Sequence, residues 1–257
     1  MLVPNRAKQK LQSGGALLGV MLTLKDPSIA EILALSGMDY LCIDCEHTLF
    51  NEETIMHIVR AAHLHGTMCL IRPETLDHDA IGRLMDIGCD GIMAPDIETA
   101  AQARAVVEAV KFAPMGRRAI APTCRAAHFG CDMDAAAFAA ATNEHTVVCV
   151  IVESIEGLRH LDEILAVDGI DVFVVGPNDL ASSMGLPGQK DHPDVQREVM
   201  AAAAKVKAAG KAFGGVGGTP QEIRHQIEDN GFMDINVGSD QGLLRKAAMA
   251  LTRDFRA

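Results

Sequence analysis

Two acidic side chains stand where apolar runs end. Glu153 follows Val147-Val148-Cys149-Val150-Ile151-Val152, and Asp179 follows Val172-Phe173-Val174-Val175-Gly176-Pro177-Asn178. Stripping a carboxylate of water is costly when it has no partner, so two of them at one rim call for a shared positive charge. A hard divalent ion of the Mg2+ or Mn2+ type fits that need, since it prefers oxygen and keeps positions open for water and substrate. The alternative is that Glu153 caps the helix after it and Asp179 pairs with an arginine.

Further chemistry sits at other strand ends. In Asp44-Cys45-Glu46-His47, the imidazole of His47 is a base for neutral pH, with Asp44 or Glu46 placed to orient its ring and raise its basicity. Arg72 precedes Pro73, which favours an extended backbone and aims the guanidinium over the mouth of the fold, where it can grip a carboxylate or enolate oxygen; a salt bridge to Glu74 or Asp96 is the plainer reading. The run Gly214-Gly215-Val216-Gly217-Gly218, with Gly238-Ser239, suits either phosphate binding or close backbone approach. His57, His63 and His65 share one helical stretch and read as a solvated face. Cys42 and Cys45 resemble half of a redox or zinc motif, but on a strand residues three apart face opposite sides.

The elements that must position these groups follow from periodicity. Short Val/Ile-rich runs at 17–23, 39–44, 67–72, 91–94, 147–153, 171–176, 211–216 and 233–238 alternate with amphipathic stretches at 28–36, 52–65, 79–87, 99–110, 157–166, 193–208, 220–230 and 241–253. Glycines at 37, 66, 88, 210 and 231 close several of the helical stretches. Eight βα repeats predict an α/β fold of the (β/α)8 barrel type, which needs about 250 residues. The chain has 257 and no linker-like tract, so a single domain over 1–257 is expected. Residues 111–145 form the longest interruption, with a short helix expected at 134–141, and a connection that long is usually functional.

Composition narrows the partners. A net charge of -11 excludes a general nucleic-acid binder, and any anionic ligand must be held by local groups. Seven cysteines suit reduced thiols in the cytoplasm. Residues 1–12 lack a signal-like apolar run, and no stretch approaches the roughly 20 apolar residues of a membrane helix. No expected strand ends in a lysine suited to Schiff-base chemistry, which favours metal over imine catalysis.

Together, Ile43-Asp44-Cys45-Glu46-His47, Leu70-Ile71-Arg72-Pro73, Val150-Ile151-Val152-Glu153-Ser154 and Val175-Gly176-Pro177-Asn178-Asp179-Leu180 resemble the HpcH/HpaI aldolase/citrate lyase family, specifically its metal-dependent class II pyruvate aldolases. The similarity extends through Arg118, Arg125, His192-Pro193-Asp194 and Val237-Gly238-Ser239-Asp240. It implies a barrel that swaps its last helix with a neighbour, a hexamer, and reversible retro-aldol cleavage of a 4-hydroxy-2-oxo acid to pyruvate and an aldehyde. It assigns Glu153 and Asp179 to a divalent metal (Mg2+, Mn2+ or Co2+), Arg72 to the pyruvate oxygen, His47 with Asp44 to a base dyad, and backbone amides near Asn178 and Asp179 to the pyruvate carboxylate. The base is either His47 itself or a water that His47 helps to deprotonate.

The chain departs from the family pattern at Cys45, Thr48, Leu49, Ala119 and Val152, the last standing where a glutamine usually precedes the metal-binding Glu. Its loss is expected to remove a polar contact to pyruvate or its water shell. The competing readings are an acyl-CoA lyase of the citrate lyase type and a catalytically silent barrel that binds a 2-oxo acid.

Overall fold

Strands apolar on both faces must be covered on both, and closing the sheet on itself inside a ring of helices does so. The computed structural model describes residues 5–256, so the first four residues of the N-terminal stretch discussed above lie outside it. Eight parallel strands close in sequence order: β1 (Leu17–Leu22), β2 (Tyr40–Asp44), β3 (Met68–Arg72), β4 (Gly91–Ala94), β5 (Val147–Val152), β6 (Val172–Val175), β7 (Ala212–Val216) and β8 (Asp234–Ser239). Each lies within one or two residues of its expected position.

Among the described residues twelve α-helices connect and cover them: α1 (Arg6–Gln12), α2 (Pro27–Leu35), α3 (Glu52–Leu64), α4 (His78–Asp86), α5 (Ala100–Val110), α6 (Ala135–His145), α7 (Ile155–Arg159), α8 (Leu161–Leu165), α9 (Pro177–Ser183), α10 (Pro193–Ala208), α11 (Pro220–Arg224) and α12 (Asp240–Arg256). Side-chain caps start most of them, including Asp26, Asn51, Asp77, Thr99 and Ser154. The five glycines that close helical stretches all take positive φ.

The inner barrel is filled by side chains such as Leu17, Tyr40, Cys42, Leu70, Met93 and Ile151, while a larger outer core joins the strands to the helices. Cys42 belongs to the inner layer and Cys45 packs against the outer one, as strand alternation requires. The N-terminal end is closed by α1: Ala7 and Leu11 join the inner cluster, and Lys8 Nζ reaches the Thr146 carbonyl at 2.7 Å and Asp171 Oδ1 at 3.0 Å. Lys111 Nζ converges on the same carbonyl at 2.9 Å; burial, then the charge of Lys8, pulls Lys111 down to about 7.

Several connections differ from expectation. The stretch at 157–166 breaks at His160 into α7 and α8, and the one at 220–230 ends in a wide turn, His225–Asp229. Within 111–145 the helix runs on to His145, and a 3-10 segment, Arg125–Gly130, precedes it. α1 and α9 were not anticipated; each is seven residues, too short to display a clear 3.6-residue period.

Candidate active site

Glu153 leaves the end of β5 with 8% of its surface exposed, and its Oε1 accepts the Asp96 N–H at 3.1 Å. Its Oε2 lies against Gly176, the residue that caps α9: a Cβ built there would stand 2.3 Å from that oxygen. Glycine is thus a steric requirement for bringing Glu153 to the first turn of α9, which carries Asp179. Burial pushes Glu153 up to about 7; the Asp96 amide opposes this, while the charges of Asp96, Asp179 and Glu46 add to it. Ser154, not Glu153, caps α7. Glu153, buried and raised in part by the charge of Asp179, forms with that exposed carboxylate an oxygen donor pair that a divalent cation would relieve, and the open positions fit a Mg2+-type ion. Among the described residues no cluster of three or more His, Cys, Asp or Glu forms a closed metal cage.

Arg72 is clamped by two acids. Its Nε and one terminal nitrogen reach the two oxygens of Asp44 at 3.0 and 2.9 Å, and the other terminal nitrogen reaches Glu46 Oε2 at 3.0 Å. These partners replace the expected Glu74 or Asp96. Burial lowers the guanidinium pKa, but the hydrogen bonds and charges of Asp44 and Glu46 outweigh it and hold the group charged. Asp44 therefore does not orient the ring of His47. It accepts the His47 backbone N–H at 3.2 Å, while Nε2 of the ring stands 3.7 Å from Glu46 Oε2. The His47 side chain is 67% exposed, at the edge of the site.

Arg72, Glu153, Asn178 and Asp179 line one cavity of about 220 Å3 in the barrel mouth; His47 is not among its lining residues. In α9 the first helical hydrogen bond is Leu180 N–H to Gly176 O, so the amides of Asn178 and Asp179 belong to the open first turn.

The cavity also runs down the barrel axis to residues that the sequence reading missed: Tyr40, Asp234 and Asn236. Asp234 pairs with Gly214, Gly214 with Val174, and Val174 with Ile151, one inward layer below Glu153. Strand alternation could have revealed it, because Ile235 and Val237 pack outward and leave Asp234 and Asn236 to face inward. The same logic corrects Val152: it is buried in the outer core, and Ile151 lines the cavity, so position 152 offers no contact to a ligand.

Other residues serve structure. Gly214 and Gly215 let Val174, Asp234 and Phe232 approach β7, and the Gly218 amide is taken by Glu222, so this run reads as close packing rather than a phosphate cradle. Arg118 is buried against Asp86 with its guanidinium 4.7 Å over the Phe112 ring, and Arg125 donates to the Ile87 carbonyl; both pin the 111–145 segment to α4 or its C-cap, away from the cavity. His63 leaves the expected solvated face and binds Asp90 at 2.8 Å. Asp240 is buried and accepts from Thr23 N and Oγ1, Leu24 N and Gln241 N, tying the end of β1 to α12.

Comparison with known proteins places this geometry. The family model described as HpcH/HpaI aldolase/citrate lyase matches residues 17–247. The hydroxypyruvate/pyruvate aldolase of Pseudomonas aeruginosa is 34% identical over 253 residues, covering 98% of this chain and 93% of that protein. The 2-keto-3-deoxy-L-rhamnonate aldolase of Escherichia coli K12 is 36% identical over 247 residues, covering 96% and 91%. A solved HpcH/HpaI aldolase/citrate lyase family protein from Burkholderia cenocepacia J2315 superposes with a TM-score of 0.91 at 33% identity, over 98% of this chain and all of that one.

Proposed function

The chain belongs to the HpcH/HpaI aldolase/citrate lyase family, and from that premise we propose that it is a class II aldolase cleaving a 4-hydroxy-2-oxo acid to pyruvate and an aldehyde. The observation that carries the reading is the meeting of Glu153, Asp179 and Arg72 around one cavity. Class II aldolases of this family generally depend on a divalent metal. Glu153 and Asp179 would hold that ion, Mg2+, Mn2+ or Co2+, which when bound supplies Lewis-acid charge for the electrons freed as the C3–C4 bond breaks.

The chain's own groups do the rest. The amides of Asn178 and Asp179, at the open turn of α9, bind the substrate carboxylate. Arg72 faces the 2-oxo oxygen and stabilises the negative charge that develops there, with Asp44 and Glu46 fixing its orientation in advance. His47, exposed at the mouth, takes the proton of the C4 hydroxyl as the C4 carbonyl forms and the aldehyde departs; C3 then gains a proton to give pyruvate. Its distance from the cavity lining favours transfer through a water.

Hydroxy-oxo diacids and dehydrodeoxy sugar acids are the substrate classes, the latter supported by the rhamnonate aldolase relative. The exposed Leu244, Met249, Leu251 and Phe255 of α12 support a swapped helix and a hexamer. Among the described residues no helix is long and apolar enough to cross a membrane, in keeping with a cytoplasmic enzyme.

The test is pyruvate release from 4-hydroxy-2-oxoheptanedioate and from 2-dehydro-3-deoxyglucarate, with and without chelator. Activity lost on chelation and restored by Mg2+, Mn2+ or Co2+ is the expected result. Metal-free turnover, or full activity in Glu153→Ala and Asp179→Ala, would refute the proposal.

A further inference from the structure

Cleavage leaves one proton without a source. C3 must gain it as pyruvate forms, and His47, which serves C4 in the scheme above, is exposed and outside the cavity lining. The donor has to come from the lining itself. Among the described residues, the lining side chains with an ionisable proton are Tyr40, Arg72, Glu153, Asp179 and Asp234. Arg72 is held charged by Asp44 and Glu46, and carboxylates that grip a metal have shed their protons, which removes Glu153 and Asp179. Tyr40 and Asp234 remain.

These two form one unit at the cavity floor, Tyr40 1% exposed and Asp234 4%. The Tyr40 hydroxyl hydrogen-bonds to the Asp234 carboxyl, joining β2 to β8 across the interior. The backbone is shaped to seat both: a Cβ at Gly19 would stand 1.9 Å from the Tyr40 ring, and one at Gly214 3.1 Å from Asp234 Oδ2. Burial pushes Asp234 up to about 7; the Tyr40 hydrogen bond opposes this, and the charge of Asp39 adds to it. A carboxyl so poised gives and takes a proton near neutral pH. Burial and the Asp234 charge push the Tyr40 phenol well above its ordinary range, so it keeps its proton and orients its partner.

Barrel order fixes the side that C3 faces. Arg72 on β3 takes the keto oxygen, Glu153 follows β5 and the carboxylate site at α9 follows β6, so the substrate's polar contacts share one arc. C3 is left toward the arc of β7, β8, β1 and β2, lined by Gly215, Val216, Asp234, Asn236, Met21 and Tyr40. Asp234 lies two residues, about 6.6 Å along a strand, below the Glu153 layer, a span that its side chain and the C2–C3 arm of the oxo acid cover between them. Resting on the aldolase reading above, the geometry points to Asp234 as the acid that protonates C3 from the barrel floor, and as the base that removes that proton in the reverse direction, with Tyr40 as its positioning residue.

The step balances. The electron pair of the C3–C4 bond passes into the enolate, C3 takes the Asp234 proton as the keto form returns, and Asp234 is left as a carboxylate. It regains a proton from solvent once pyruvate leaves, and the proton that His47 drew from the C4 hydroxyl goes to solvent.

Loss of the methyl signal of pyruvate in D2O, followed by proton NMR with Mg2+ and no aldehyde, reads transfer at C3 alone. Wild type is expected to exchange. Asp234→Asn keeps the size of the side chain and should slow exchange by about 100-fold or more, the span of a lost acid-base group, with the pyruvate Kd from calorimetry within about three-fold. Tyr40→Phe keeps the ring and its packing and should slow exchange by about 10-fold, again with little change in Kd. His47→Ala should slow exchange at least about 10-fold less than Asp234→Asn does. Thermal melting checks the fold of each variant.

Exchange at the wild-type rate in Asp234→Asn, an equal loss in His47→Ala, or a wild type that cleaves without exchanging would overturn the assignment and leave the aldolase reading intact. Parallel loss of exchange and of pyruvate binding in both Tyr40→Phe and Asp234→Asn would do the same, since that is the pattern of a structural pair. Absence of metal-dependent cleavage in wild type would overturn both.

Discussion

The carboxylate of Glu153 rests on the backbone of Gly176, its Oε2 in the space that any side chain at that position would need. One glycine therefore couples the end of β5 to the first turn of α9 and sets the separation of the two acidic side chains proposed as metal ligands. Gly176→Ala should fold, because its φ of -78° is open to alanine, but should displace Glu153. We expect a loss of pyruvate-releasing activity of about 100-fold or more, of the size that small misplacements of catalytic groups produce, together with weaker divalent-ion affinity measured by calorimetry.

Protonation of Glu153 gives a pH signature. Its pKa is raised from 4.5 to about 7, so the folded protein retains a proton that the unfolded chain gives up. That contribution to stability is full below 4.5 and is lost as pH climbs through 7. Metal-free wild type should thus lose on the order of 3 kcal/mol relative to Glu153→Gln across that window, read from denaturant melts at successive pH values. Saturating Mg2+ should remove most of the difference, since the ion favours the ionised carboxylate.

Arg72 depends on its clamp. Lysine at that position keeps a charge but cannot span both oxygens of Asp44, so Arg72→Lys should cost about 100-fold in kcat/KM or more. Asp44→Asn, which leaves Arg72 present but loosely held, should cost roughly 10-fold in kcat with a smaller change in KM. Equal effects on kcat and KM in Asp44→Asn would mean that Asp44 contributes to binding and not to preorganisation.

In the proposed mechanism His47 moves a proton and makes no contact to pyruvate. His47→Ala should lower kcat by about 100-fold with the pyruvate KM unchanged, and added imidazole should restore part of the rate. Unchanged kcat would assign proton transfer to another group.

Asp240 shows a structural role for a motif residue. Removing four accepted hydrogen bonds in Asp240→Ala should destabilise the fold by about 3 kcal/mol or more, lowering the denaturant midpoint without altering the slope.

The barrel was legible in the sequence because short continuous apolar runs, helical stretches and terminal glycines all told the same story. Glu153, Asp179 and Arg72 were legible for a related reason: residues at the ends of barrel strands must face the mouth. What stayed hidden was orientation. Asp44 could have turned to His47 or to Arg72, and only the cross-strand pairing of Asp44 with Arg72 in neighbouring β2 and β3 decides it. His63 could not be separated from its exposed neighbours without knowing that Asp90 lies across from it. Tyr40 and Asp234 sit in segments that read simply as buried strand, and a carboxyl at the first residue of β8 looks like a loop boundary until the register places it inside.

That register has a consequence for how such a scaffold can be retuned. The rim loops and the barrel interior are different parts of the chain, and the cavity joins them end to end. Side chains rooted in β2 and β8 can be exchanged for others of similar bulk while the segments around the mouth stay untouched, and the reverse holds as well. The floor and the rim of the cavity are thereby encoded by separate sets of codons, and selection, natural or in the laboratory, can alter one without disturbing the other.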